Sequence, residues 1–316
     1  MNIIKITPRG YCHGVIDALN VVQNAAMDPT LPRPIHILGM IVHNEHITQA
    51  LKALGVVTVD HKEKTRLELL DTISEGTVIF TAHGIAPAVK EKALAKGLYC
   101  IDASCRDVLT THDLIRNYVK TGHEIIYIGK KGHPETEGSL GVAPGKVHLV
   151  QDLRDLEALN PATLKLMITN QTTMSLWDVA KLAKSIQEKF PTAAFIKEIC
   201  NATQIRQEAV ATKSQGAQLT IVVGDPHSNN SGRLSQVSQE LAHVPAKRIA
   251  SLEELDLAWL AEVDTVAVTS GASTPTAITK EVIEFLEKYD KLDPTTWDTA
   301  SKVTQDKILF KRVKSS

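Results

Sequence analysis

The sequence predicts an α/β protein built on mainly parallel sheets and divided into three similar small domains. Three observations carry this. Apolar, β-branched runs alternate along the 316 residues with segments of helical periodicity. Cys12, Cys105 and Cys200 each stand between such a run and a helical segment, 93 and 95 residues apart. Six further apolar runs end in turns rich in Gly, His, Ser, Thr and Asn, two after each cysteine.

The equal spacing sets the expected boundaries. A first domain runs over 13–104, a second over 105–199 and a third over 200–288, the third completed by the strand within 1–11. Residues 289–316 form a C-terminal extension. The chain is 43% hydrophobic and 22% charged, enough to bury a core without disulfides. A net charge of −1 leaves no basic excess for nucleic acid or an anionic membrane surface. Four cysteines and no export signal fit a reducing cytosol, so a cytoplasmic protein is expected. No apolar run reaches the length of about 18 residues that crosses a bilayer.

Taken in order, Ile4-Lys5-Ile6 leads through Pro8 and Gly10 to Cys12, and Val15, Ile16, Leu19 and Val22 follow at helical spacing. Ile35–Leu38 leads to Val42-His43-Asn44, and Thr77–Phe80 to Ala82-His83-Gly84. Tyr99-Cys100-Ile101 leads to Cys105, ahead of Val108, Leu109, Leu114 and Ile115. Glu124–Ile128 leads into a turn, Gly132-His133-Pro134-Glu135, and Leu166–Ile168 into Asn170-Gln171-Thr172-Thr173. Phe195–Ile199 is the strand before Cys200, and 202–215 reads as the helix after it. Leu219–Val223 leads to Ser228-Asn229-Asn230-Ser231, and Thr265–Val268 to Ser270-Gly271-Ala272-Ser273. Past Tyr289 the pattern loosens; Lys307–Lys311 reads as an edge strand and the last residues as a loose tail.

The chemistry lies in the junctions. A helix N-terminus carries unpaired N–H donors and a partial positive charge, which favour thiolate over thiol. Cys12, Cys105 and Cys200 are therefore either buried thiols of the ordinary kind or three ligands of a metal centre with one position left open. Cys100, inside an apolar run, reads as a core thiol. His43, His83 and His133 each follow a strand into a polar turn, where each either bonds its own turn or faces a shared pocket. Histidine, Ser, Thr and Asn with backbone N–H groups can cradle a diphosphate without Lys or Arg. No Walker or Gly-x-Gly-x-x-Gly turn is present, so a nucleotide is not indicated. Glu135 is placed to donate a proton into such a pocket, whereas Glu137 reads as solvated or capping.

These motifs identify a resemblance over nearly the whole chain. Pro8-Arg9-Gly10-Tyr11-Cys12, Val42-His43-Asn44, Ala82-His83-Gly84, His133-Pro134-Glu135-x-Glu137-Gly138 and Asn170-Gln171-Thr172-Thr173 all take part. So do Ile199-Cys200-x-Ala202-Thr203, Arg206-Gln207-Glu208-Ala209, Ser228–Ser231 and Ser270–Ser273. Together they are similar to the LytB/IspH family of 4-hydroxy-3-methylbut-2-enyl diphosphate reductases, in wording closest to its Bacillus-type branch. The resemblance implies a pseudo-threefold α/β fold around one 4Fe–4S cluster held by Cys12, Cys105 and Cys200, with one open iron. It implies a diphosphate site at His43, His83, Ser228, Asn229, Asn230 and Ser273, with His133 and Thr172 nearby and Glu135 as proton donor. It also implies a ferredoxin or flavodoxin as electron donor, and a place as last step of the methylerythritol phosphate route to isopentenyl and dimethylallyl diphosphate.

The departures cluster after the second cysteine. The family usually has Thr-Cys-Pro there, with Thr-Lys a few residues on; this chain has Ser104-Cys105-Arg106 and Leu109-Thr110. Arg106 lacks proline's preorganisation at a first helical position and is the wrong sign for the helix dipole. Gly232 stands where Asn is usual. Two other readings follow from the same residues: a cluster-bearing lyase or dehydratase that needs no electrons, and an iron–sulfur redox-sensing paralogue that does not turn over.

Overall fold

The apolar runs up to Val268 supply the strands of three four-stranded, all-parallel sheets, in a computed structural model that describes residues 1–309. The chain opens with β1 (Asn2–Lys5), α1 (His13–Met27), β2 (Ile35–Leu38), α2 (Glu45–Ala53), β3 (Val56–Val59), α3 (Arg66–Leu70), β4 (Thr77–Phe80) and α4 (Pro87–Ala95). It continues through β5 (Tyr99–Asp102), α5 (Arg106–Lys120), β6 (Glu124–Ile128), α6 (Pro134–Val142), β7 (Val147–Val150), α7 (Leu153–Ala158), β8 (Leu166–Asn170) and α8 (Leu176–Lys189). It closes with β9 (Ala194–Phe195), α9 (Asn201–Lys213), β10 (Leu219–Val223), α10 (Asn229–Glu240), β11 (Ala246–Ile249), β12 (Thr265–Ser270) and α11 (Thr276–Lys288).

The sheets share one topology. Their orders are β3-β2-β4-β5, β7-β6-β8-β9 and β11-β10-β12-β1. In each, the second strand flanks the first, the third lies on its other side, and an edge strand closes the sheet. That edge strand leads into a cysteine: β5 to Cys105, β9 to Cys200 and β1 to Cys12. The protein thus has three small parallel-sheet α/β domains.

Two compact units contain these sheets. One comprises Met1–His13, His43–Ala53 and the chain from Asn201 onward, and holds the sheet of β10, β11, β12 and β1. Its central strands are fully buried at Ile221, Val222, Val223, Val266, Ala267 and Val268, as expected for parallel strands covered on both faces. The other comprises Gly14–Val42 and Leu54–Cys200 and holds the remaining two sheets. Its cores form around Phe80 and Leu70, around Ile168 and Ile186, and around Tyr127 and Ile115. Each such side chain contributes about 1.5–3 kcal/mol on burial.

Local sequence explains where the helices start. Thr65 and Glu68 form a capping box on α3, Ser175 caps α8 through the Asp178 N–H, and Pro134 occupies the first position of α6. No helix among the described residues is long and apolar enough to cross a membrane.

Two expected strands differ from the structure. β9 stops at Phe195 instead of running to Ile199. Ile196 N–H still bonds the Ile168 carbonyl, but Glu198 N–H goes to the side-chain Oδ1 of Asn170 and Cys200 N–H to the Thr172 carbonyl, so the ladder ends. At the other end, Gln305–Lys307 is a 3₁₀ turn and not the start of a strand. There Ile308 buries its side chain, and its carbonyl accepts the Tyr11 hydroxyl at 2.8 Å. Phe310, Lys311 and the tail beyond lie outside the described residues.

Candidate active site

The acid is the most sharply defined group. Glu135 is not in a turn: it is the second residue of α6, 1% exposed. His133 caps this helix, its Nδ1 accepting the Glu135 N–H at 3.1 Å. An accepting Nδ1 leaves the proton of the neutral ring on Nε2, so His133 keeps an Nε2–H to donate. Thr172, just past the end of β8, donates its N–H to Glu135 Oε1 at 2.6 Å and its hydroxyl to Oε2 at 3.1 Å.

Burial pushes the Glu135 carboxyl up from the usual carboxylate range to about 7, and the Asp107 charge adds to this against the two Thr172 bonds. A carboxyl half-protonated near neutrality is matched to proton donation. The folded form then binds this proton more tightly than the unfolded chain does. Its contribution is therefore favourable below the unfolded pKa of 4.5 and is lost as pH rises through about 7. Urea unfolding of the native protein and of Glu135→Gln, compared between pH 5 and pH 8, should show the native protein losing stability relative to the variant. An unchanged difference would mean that Glu135 titrates normally.

The turns around this acid are fixed by side chains. Gln171 Oε1 accepts from Lys130 N–H at 3.0 Å and from the Thr136 hydroxyl at 3.2 Å, tying the Thr172 turn to the start of α6. Small residues let α6 approach the His83 turn: a Cβ on Gly141 would come within 2.2 Å of the Ala86 Cβ, and one on Gly138 within 3.3 Å of the Gly84 backbone. The His83 and His133 rings consequently meet edge to face at 5.5 Å. Glu137 faces another way. Its Oε1 accepts the Arg66 N–H at 2.9 Å and Oε2 meets the guanidinium at 3.3 Å, so it caps α3 and pairs with a nearly buried arginine.

The other unit carries His43, Ser228, Asn229, Asn230, Ser273 and Cys12. Ser228 caps α10, its Oγ accepting Ser231 N–H at 3.3 Å, and Asn230 donates to the Thr203 hydroxyl at 3.2 Å. The Ser273 hydroxyl donates to the His43 carbonyl at 3.1 Å. Ser228, Asn229, Asn230 and Ser273 lie beyond the carboxyl ends of β10 and β12, where open parallel sheets place ligands. Gly232, inside α10, leaves room for Arg248, whose Nη1 would lie 3.2 Å from an added Cβ.

The cysteines are tethered alike. Cys12 N–H donates to the Ala272 carbonyl, Cys105 N–H to that of Ala82 and Cys200 N–H to that of Thr172, each at 3.0–3.1 Å. Each cysteine is thus bonded to the polar turn after the neighbouring strand, beside Ser273, beside His83 and at Thr172 itself. All three are half-buried, precede a helix and form no disulfide. Gly14 leaves the Cys105 sulfur clear, since an added Cβ would lie 2.5 Å from Sγ. Cys105 and Cys200 in one unit and Cys12 in the other each offer a thiol at a helix start, the soft donor type that iron–sulfur sites use. Cys100 differs: it packs on the core around Phe80, and burial pushes its thiol up. Arg106 is exposed, so solvent screens its charge.

Sequence reasoning passed over Asp107, whose charge acts on Glu135, and Asn170, Gln171 and Arg66, which hold the turns. The first three stand within or beside quoted motifs, but their roles depend on partners elsewhere in the chain.

The family model described as LytB protein matches residues 3–287. Over 309 residues the chain is 59% identical to a 4-hydroxy-3-methylbut-2-enyl diphosphate reductase of Bacillus mycoides, covering 98% of this chain and 97% of the relative. The same holds for a protein of that name from Bacillus cytotoxicus, with 98% of each chain covered. Among solved structures, the E-1-hydroxy-2-methyl-but-2-enyl-4-diphosphate reductase of Plasmodium falciparum superposes with a TM-score of 0.83 at 33% identity, covering 93% of this chain and 89% of that one. A second, (E)-4-hydroxy-3-methyl-but-2-enyl diphosphate reductase, gives 0.63 at 31% identity, covering 92% of this chain and all of the other. A family match over residues 3–287, with relatives aligned almost end to end, means that the chain belongs to the LytB family.

Proposed function

We propose that the chain reduces 4-hydroxy-3-methylbut-2-enyl diphosphate to isopentenyl and dimethylallyl diphosphate, the last step of the methylerythritol phosphate route. Two electrons and two protons enter, the C–O bond breaks, one C–H bond forms and water leaves. The observation that carries the reading is the buried Glu135–Thr172 pair, with a carboxyl that burial holds half-protonated near neutrality, in a chain 59% identical to proteins named for this reaction.

When bound, a 4Fe–4S cluster on Cys12, Cys105 and Cys200 supplies electrons singly and a Lewis-acidic open iron for the substrate hydroxyl. The chain's own groups do the rest. Glu135 gives its proton, through the Thr172 hydroxyl or directly, to the departing hydroxyl. Its N–H bond to His133 Nδ1 fixes the ring so that Nε2–H points away from the acid's own backbone. The diphosphate is assigned to His43, His83, His133, Thr172, Ser228, Asn229, Asn230 and Ser273, neutral donors that bind an anion without trapping the product. A cytoplasmic ferredoxin or flavodoxin supplies the electrons. The expected domains span 13–104, 105–199 and 200–288, the last with the strand of 1–11.

Anaerobic turnover of the hydroxymethylbutenyl diphosphate with a strong reductant and a dye mediator tests the reading. Both products are expected, and none without reductant; elimination of water without reductant would instead select a lyase. His43→Ala and Ser273→Ala should each weaken substrate binding by about 1–3 kcal/mol, read as a raised KM. Unchanged KM and kcat in both would place the diphosphate elsewhere.

A further inference from the structure

Arg206 belongs to the Arg206-Gln207-Glu208-Ala209 motif, which the mechanism above leaves without a task. It is 3% exposed, in α9, the helix that follows Cys200. Its Nη1 donates to the Ala202 carbonyl at 2.9 Å, and its Nη2 to the Gly10 carbonyl at 2.8 Å. Ala202 stands two residues after Cys200 and Gly10 two residues before Cys12.

We infer that Arg206 is a positioning residue for the metal centre, clamping the Cys12 loop to the first turn of α9; this rests on the reductase reading above. On its other sides the loop is held by the Tyr11 hydroxyl, which donates to the Ile308 carbonyl at 2.8 Å, and by its backbone. Gly10 N–H goes to the Ser270 hydroxyl at 2.8 Å and Cys12 N–H to the Ala272 carbonyl at 3.1 Å, both on the β12 side. Gly10 takes φ +76°, and an added Cβ would lie 2.7 Å from Thr276 Oγ1, so the loop is a tight, glycine-dependent turn. The Arg206 fork grips it from the α9 side. A planar guanidinium has two donors in fixed relation, which suits two carbonyls on different segments. An ammonium on a flexible stem reaches one of them at a time. Taking a guanidinium out of water is costly, and a cation near the start of a helix is disfavoured by the dipole. Thiolates two residues away on both segments offset that cost once the centre is built. The clamp therefore serves the loaded site more than the bare fold.

The test uses the full chain, reconstituted anaerobically, as Arg206→Met and Arg206→Lys. Iron loss to a chelator should be about 10–100-fold faster in Arg206→Met, the scale of removing an outer partner of a metal ligand. Its midpoint potential should become more negative, because a buried positive charge is gone. Arg206→Lys should keep a potential close to the native one yet still lose iron faster, since it cannot hold both carbonyls. Native iron retention and potential in Arg206→Met, with only the melting temperature of the apoprotein lowered, would reduce Arg206 to a fold residue and overturn the inference. If Arg206→Met fails to fold, the lysine variant decides: iron loss at the native rate would overturn the clamp. A native protein that takes up no iron would instead overturn the reductase reading, and this inference with it.

Discussion

Glu135→Gln should keep its fold and its iron and lose turnover by about 10²–10⁴-fold, the usual contribution of a positioned acid. Glutamine preserves the size of the side chain and can still accept the Thr172 N–H that bonds Oε1. It has no carboxylic proton to give, so hydroxide, a poor leaving group, would have to depart in place of water. The native pH profile of kcat should fall as pH rises past about 7, where Glu135 loses its proton, and that limb should vanish in the variant. Glu137 supplies the control. It stands two residues on, but its carboxylate is engaged with Arg66 at 2.9 and 3.3 Å. Glu137→Gln should lower the melting temperature through that pair and spare the chemistry. Equal turnover in Glu135→Gln and the native protein would remove Glu135 from the mechanism, and loss of activity only in Glu137→Gln would move the acid along α6.

The alternation of strands and helices was legible because parallel, two-sided strands such as Thr77–Phe80 and Leu219–Val223 are continuous apolar runs bounded by polar turns. The three strand–Cys–helix junctions were legible for a related reason. Each is the end of an edge strand in one repeated topology, so chain spacing mirrors the sheet order. What resisted reading were side chains that replace backbone partners. Asn170 Oδ1 takes the Glu198 N–H, 28 residues away, and thereby cuts β9 short of the cysteine. Lys197 and Glu198 weaken the strand propensity of Phe195–Ile199, but no local pattern announces the partner that Asn170 supplies. Glu135 looked like a turn residue because Gly132-His133-Pro134 precedes it. Pro134 in fact opens α6 and His133 caps it, which sets Glu135 inside a first helical turn with its carboxyl buried. The Arg66–Glu137 pair spans 71 residues and could not be inferred from either end.

Replacing Cys12, Cys105 or Cys200 by Ser should each abolish stable iron, leaving a colourless protein after anaerobic reconstitution, whereas Cys100→Ser should bind iron like the native chain. Serine is nearly the size of cysteine, so the helix starts should survive. What it lacks is a soft, readily ionised sulfur, and softness is what retains iron in thiolate sites. The three positions are equivalent in the fold: each follows an edge strand, precedes a helix and donates its N–H to the neighbouring polar turn. Cys100 shares none of this. It lies within β5, two residues before that strand ends, with its sulfur weakly bonded to the Leu98 carbonyl at 3.6 Å and its thiol disfavoured from ionising by burial. Cys105→Ser is the most informative of the four, because its sulfur sits against Gly14. Gly14→Ala should act through the same contact: its methyl would press on Sγ and loosen iron while leaving all three thiols in place. Full iron in Cys105→Ser would exclude Cys105 as a ligand. Iron lost from Cys100→Ser but kept in Cys105→Ser would move the second ligand to β5, and the shared tether of Cys12, Cys105 and Cys200 would then be a feature of the sheet edges alone.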